Sequence, residues 1–203
     1  MSATGRGKER VALDFYATPR EAVEPIVPIL RPYLGGHILE PSVGTGDIAR
    51  ALVAAGAEPS HITGIELDPA RAEQATRTEC VGRVVRGDAL AILPQLVIPG
   101  GRPGLIITNP PYKLAQEFAE ACLAVAGQRG VVALLLRLGF IASLRRSAFH
   151  RARPADVFIL AKRPSFTGDG KSDACDYAWF LYGLPRGGGH WTILDPVRSS
   201  PGP

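Results

Sequence analysis

Residues 38–49 read "ILEPSVGTGDIA": a short apolar run, a glycine-rich turn and the start of a helix. Gly44 and Gly46 let the backbone bend tightly and approach a ligand closely. In open α/β sheets such a loop lies beyond the carboxyl end of a strand, where ligands bind. The same alternation continues outward. "HILE" (37–40), "ITGIE" (62–66), "GRVVR" (82–86), "GLIIT" (104–108), "GVVALLLR" (130–137) and "DVFILA" (156–161) read as strands. Helical segments at 46–55, 69–77, 89–93, 114–126 and 143–151 separate them. The fold class this predicts is α/β, a mostly parallel sheet with helices on both faces.

The pattern changes late. "YAWFLY" (177–182) and "HWTIL" (190–194) have only "GLPRGGG" between them, which predicts an antiparallel hairpin at a sheet edge. Residues 21–30 read as an extra helix made irregular by Pro25 and Pro28. No linker of domain-boundary character appears, so residues 1–203 are expected to form one domain, with 1–10 and 195–203 as flexible ends.

Bulk properties narrow the class. The 203 residues are 46% hydrophobic, enough for a sizeable core. Lys+Arg number 23 against 19 Asp+Glu, a formal charge of +4, so distribution matters more than the sum. Between Arg137 and Lys171 lie eight Lys/Arg and two Asp/Glu, either a solvated face or a phosphate-facing surface. Cys80, Cys122 and Cys175 are far apart and odd in number, with no zinc spacing. A reducing, cytoplasmic setting is expected, with no metal. No apolar run reaches the length of a membrane span, so no membrane is expected.

The first loop carries a ligand signal. Gly44 to Ala49 matches the form G-x-G-x-x-A, and Glu66 ends the second strand, where an acid can accept from both hydroxyls of a ribose. Glu40 and Pro41 stand between the first strand and the glycines. A carboxylate there repels a pyrophosphate but suits a cation or an amine. S-adenosylmethionine carries a sulfonium and an ammonium and fits better than a dinucleotide. Asp88 can accept from an adenine amino group, cap the next helix, or both.

A second stretch asks for more than a turn. "TNPPYK" (108–113) ends the fourth strand with an amide, two prolines and an aromatic ring. An exocyclic amine on an aromatic ring is a poor nucleophile, because its lone pair is delocalised. Two acceptors on its hydrogens would draw the nitrogen toward a tetrahedral shape. The Asn109 side chain supplies one and the Pro110 carbonyl the other, with Pro111 keeping that carbonyl out of any ladder. Tyr112 offers a face on which a base can stack.

With these residues the chain resembles the Rossmann-like, class I S-adenosylmethionine-dependent methyltransferases of amino groups. It looks most like the N6-adenine DNA methyltransferases, in particular small ones carried by phages and mobile elements, and so is expected to be bacterial or phage-encoded. The resemblance implies that Asn109, Pro110, Pro111 and Tyr112 are catalytic and receive a flipped adenine. It implies cofactor contacts at Glu40, Pro41, Ser42, Gly44, Gly46, Asp47, Glu66, Leu67, Asp88 and Ala89. "YATP" fits a segment that precedes the first strand in the family and adds Tyr16, Thr18 and Pro19. Thr18 taken alone also reads as a helix cap. The late loop and strand imply contacts to the target base or DNA from Phe180, Arg163 and Lys171, and the basic run adds Arg145 and Arg146. The partner implied is DNA, bound by a monomer or homodimer. An RNA base and a protein glutamine amide are the alternative substrates. Many members carry a separate recognition domain; none is expected within these 203 residues, so recognition of a short site through loops, broad action or help from a second subunit is expected.

Overall fold

The computed structural model describes residues 17–98, 100–166 and 173–197. Eight strands form one sheet: β1 Ile38–Glu40, β2 Ile62–Glu66, β3 Arg83–Arg86, β4 Leu105–Thr108, β5 Val131–Arg137, β6 Asp156–Leu160, β7 Tyr177–Tyr182 and β8 Trp191–Leu194. Their spatial order is β3-β2-β1-β4-β5-β7-β6-β8. The pairings run β1 to β6 and β8 in one direction and reverse only β7, which is antiparallel to both β5 and β6.

The central strands are apolar on both faces because both faces are covered. On one face Ile38, Ile62, Leu105, Ile107, Leu135 and Trp179 pack under the short helices α1 (Arg20–Val23) and α2 (Val27–Leu30) and helix α3 (Asp47–Ala54). On the other, Leu39, Ile65, Ile106, Leu134 and Phe180 meet Phe118 and Cys122 of α6 (Ala115–Ala126). Helices α4 (Pro69–Arg77), α5 (Ala89–Ile92) and α7 (Ser147–Ala152) complete the layers. Among the described residues no helix is long and apolar enough to cross a membrane, and no cluster of possible metal ligands occurs.

One local expectation holds and two change. The helix expected at 21–30 is a succession of α and 3-10 turns, with Pro25 and Pro28 each opening a new turn, where a missing N–H costs least. The helix expected at 143–151 begins only at Ser147. Residues 143–146 instead form a turn closed by Arg146 N–H to the Ser143 carbonyl, 3.2 Å. The late antiparallel hairpin is present, but β6 and β7 form it, and β8 crosses to the far side of β6 and runs parallel to it. Asp156, buried at the start of β6, explains the crossing. Its carboxylate accepts from the His190 N–H (3.0 Å) and from Arg186 Nε (3.2 Å), which draws the "GLPRGGG" connection over the end of β6.

The chain fills the sheet from β1 outward to β3, then returns to place β4 on the other side of β1. The carboxyl ends of β1 and β4 therefore flank the point where the topology switches, which opens a crevice.

Candidate active site

A cavity of about 470 Å³ occupies that crevice. It is lined from β1 and its loop by Glu40, Pro41, Ser42, Val43, Gly44 and Asp47, from the ends of β2 and β3 by Glu66, Leu67, Asp88 and Ala89, and from β4 by residues 109–114.

The first loop is shaped by glycine where geometry demands it. Gly46 precedes α3 at φ 83°, a left-handed conformation that disfavours other residues. Gly64, in the middle of β2, went unnoticed in the sequence. A Cβ there would lie 2.8 Å from the side chain of Val43, so its absence lets the loop rest on the sheet.

Two acids in this loop region differ sharply. Glu40 is 1% exposed, lines the cavity, and its Oε2 has no hydrogen-bond partner among the described residues. Burial, with Asp47 nearby as a smaller cause, holds its carboxyl well above the usual carboxylate range. A buried carboxyl with an unused oxygen suits a cationic group and opposes a phosphate. Glu66, 6% exposed, is instead bonded at both oxygens, with a single donor on its Oε2. Its Oε2 accepts from Gly44 N–H at 2.9 Å, and its Oε1 from Asp68 N–H at 2.9 Å and from Arg71 Nη2 and Nε at 3.0 and 3.2 Å. Glu66 thus clamps the glycine loop to the start of α4 as well as facing the cavity. Arg71 lines the cavity and was missed; its place on the first turn of α4, capped by Asp68, was the available signal.

Asp88 caps α5, with its Oδ1 accepting from the Leu90 N–H at 2.9 Å, and also faces the cavity. The fourth strand delivers the tetrapeptide. The Pro111 carbonyl is taken by Leu114 N–H at 2.9 Å, whereas no donor among the described residues occupies that of Pro110. Asn109 Nδ2 donates to Thr18 Oγ1 at 3.1 Å. Thr18 therefore does not cap the first helix: Pro19 stands at that N-cap, with no side-chain cap bond. The Tyr112 ring lies under the Arg137 guanidinium, 4.9 Å from carbon to centroid, and beside Tyr177 at 5.6 Å. Burial raises the pKa of its hydroxyl, which stays neutral.

Several expected residues lie elsewhere. Phe180 is fully buried against Phe140 on the α6 face, and Tyr177, from the opposite face of β7, is the aromatic that reaches Tyr112. The expectation that Phe180 contacts the target base is corrected on that ground. Gly46 and Pro19 shape the site's backbone without lining the cavity. Arg146 donates to the carbonyls of Phe140 and Gly139, and Arg163 pairs with Asp176 at 2.7 Å. Arg145 is exposed. Tyr16 and Lys171 lie outside the described residues.

No protein-family model matches the chain, and no curated protein matches it. Solved structures do resemble it. An RNA methyltransferase, provisionally so assigned, from Pyrococcus horikoshii superposes with a TM-score of 0.67 at 15% identity, covering 88% of this chain and 92% of that one. A provisionally assigned class I S-adenosylmethionine-dependent methyltransferase from Listeria monocytogenes gives 0.65 at 12%, covering 87% of this chain and 65% of that one. The methyltransferase subunit of a type I restriction-modification system from Streptococcus thermophilus gives 0.64 at 14%, covering 91% and 48%. The chain thus has the Rossmann-like fold of class I methyltransferases, and it spans about half of the restriction-modification subunit.

Proposed function

We propose that this chain is an S-adenosylmethionine-dependent methyltransferase acting on the exocyclic N6 amine of adenine in DNA. The observation that carries the reading is that Asn109, Pro110 and Tyr112 line the same cavity as the buried Glu40 carboxyl, whose Oε2 has no partner among the described residues. The residues suit the cofactor: Glu40 for a cationic group, Glu66 and Asp88 for ribose and adenine donors, and Ile48, Ile65, Leu67 and Phe118 for apolar ring surface. Bound there, S-adenosylmethionine supplies a methyl group on a positively charged sulfur that leaves as a neutral thioether.

The chain's own part is to hold the amine. The Asn109 oxygen and the Pro110 carbonyl accept its two hydrogens and favour a tetrahedral nitrogen. The tyrosine ring stacks on the base and replaces a neighbour lost when the base leaves the helix. Arg137, packed on Tyr112, holds that ring in place. The amine's proton leaves to water, and no strong base is required.

The likeness to a restriction-modification subunit supports DNA, and that to an RNA methyltransferase makes RNA the main competitor. Transfer of isotopic methyl to duplex DNA, RNA and protein in parallel, followed by nucleoside analysis, tests the reading. N6-methyladenine in DNA is expected. Label found only in RNA or protein would overturn the choice of substrate.

A further inference from the structure

Leu144 is 92% exposed, more than any other large hydrophobic side chain among the described residues, and nearby Ile141 is 49% exposed. Single apolar residues are common on protein surfaces, so exposure alone assigns nothing. The setting of this one does.

Thr108 ends β4 and pairs with Leu134, so β5 continues through Leu135, Leu136 and Arg137 past the end of its neighbour. At about 3.3 Å per residue the overhang is roughly 10 Å. Its last residue, Arg137, packs on the Tyr112 ring. The turn that follows therefore starts outside the tetrapeptide, beyond the carboxyl ends of the strands, where a large substrate has to approach.

This turn is braced at its base and bare at its tip. Phe140 is buried against Phe180, ring centroids 5.3 Å apart, in the same packed layer as Phe118, which lines the cavity. The Phe140 carbonyl accepts from Arg146 Nε at 2.8 Å and lies 3.1 Å from His150 Nε2. The Arg146 guanidinium also donates to the Gly139 carbonyl at 3.2 Å and covers the Phe140 ring at 4.9 Å. Between these ties stand Leu144 and Arg145, both exposed.

An apolar tip beside a cation, on a turn already held in shape, suits a stack of bases reached past a phosphate backbone. A base that leaves its helix opens a gap, and the lost stacking is the main cost of extruding it. An apolar side chain that enters the gap replaces part of that contact and is itself removed from water. The bracing lowers the ordering cost of such an insertion.

We propose that Leu144 is a wedge that enters the base stack where the target adenine has left it, with Arg145 on an adjoining phosphate. The inference rests on the DNA-methylation reading above. It makes Leu144 important where a paired base must be drawn out and nearly idle where the base is already loose.

The test first maps the methylated adenine on plasmid DNA. Two short duplexes are then compared in single turnover, one with that adenine paired to thymine and one with it opposite an abasic site. Leu144→Ala and Leu144→Gln should methylate the paired duplex about 10–100-fold more slowly than the parent, the worth of one unstacked base step. On the abasic duplex both should approach the parent's rate, and Leu144→Met should approach it on both. Melting temperature and S-adenosylhomocysteine affinity should stay at the parent's values, since the side chain touches neither core nor cavity. Variants that match the parent on the paired duplex overturn the wedge, and so do variants that lose equally on both duplexes, while DNA methylation itself stands. A parent that labels only RNA or protein overturns the substrate reading and the wedge with it.

Discussion

Replacing Glu66 by glutamine is expected to destabilise the fold before it says anything about ligand binding. The carboxylate spreads four hydrogen bonds over two oxygens, with Gly44 N–H on one and Asp68 N–H and Arg71 on the other. Glutamine keeps one acceptor oxygen. Turned toward Arg71, it sets its NH2 against the Gly44 N–H; turned toward Gly44, it sets NH2 against a guanidinium that is only 14% exposed. Either way a buried donor loses its partner. Removing one partner of a buried ion pair costs about 3–5 kcal/mol. For a chain of this size each kcal/mol lowers Tm by about 2–4 °C, so the variant should melt about 6–20 °C below the parent. Calorimetry and urea titration read this directly. Arg71→Leu added to Glu66→Gln should recover part of the loss, because the guanidinium that opposes the new NH2 is gone, though its approach to Asp68 at 3.9 Å goes with it. A Glu66→Gln protein melting within about 2 °C of the parent would refute the clamp. Loss of cofactor affinity in Glu66 variants is therefore to be read only after folding has been checked.

Other outcomes follow from the same geometry. The raised Glu40 carboxyl contributes stability that is fully present below the ordinary carboxyl range and lost as pH rises through its raised folded value. Glu40→Gln should thus stabilise the free protein above that value. S-adenosylhomocysteine affinity should climb with pH through the same window in the parent and stay flat in the variant; parallel calorimetric profiles would exclude Glu40 from the site. Asn109→Ala should abolish turnover while sparing cofactor binding, and Tyr112→Phe should keep substantial activity where Tyr112→Ala loses about 1–3 kcal/mol of base interaction, as single-turnover rates would show. Arg145→Ala should reduce the salt slope of DNA binding by about 0.9 if that side chain meets one phosphate, and an unchanged slope would make it an ordinary solvated residue.

What the sequence made legible was whatever depends on near neighbours. Apolar runs and glycine turns located all eight strands closely, because period and turn chemistry are local properties. Alternation along 177–182 separates Tyr177 and Trp179 from Phe180, and the two faces of β7 are divided in that way. Which face reaches the site depends on β7 being reversed between β5 and β6, a matter of sheet order that period cannot express. The path of β8 was hidden for a similar reason, since it turns on Asp156 gripping residues thirty or more positions later. Thr18 read equally well as a cap, and it is the placing of Pro19 at the helix N-cap and of Thr18 at the cavity wall that separates the two roles. Arg71 carried no motif of its own and gains its meaning from Glu66.

The basic run between 137 and 171 is the sharpest case of topology revising composition. Helix α7 leaves the carboxyl end of β5 and returns the chain to the start of β6, which runs parallel to β5. Arg151 and Arg153 therefore sit toward the edge of the sheet opposite the cavity. Arg137, Arg145 and Arg146 follow the carboxyl end of β5, the end of the sheet that carries the cavity, as Lys162 and Arg163 follow that of β6, but none of them lines it. Of these, Arg137 is packed on Tyr112, Arg146 is tied to two carbonyls, Lys162 approaches Glu21 at 3.9 Å and Arg163 pairs with Asp176. A duplex that offers one base to Asn109 would meet few uncommitted cations from this run. Its phosphates would contribute a shallow salt dependence, and affinity would rest on what the cavity does to the base, which is where Glu40, Thr18 and the tetrapeptide are gathered.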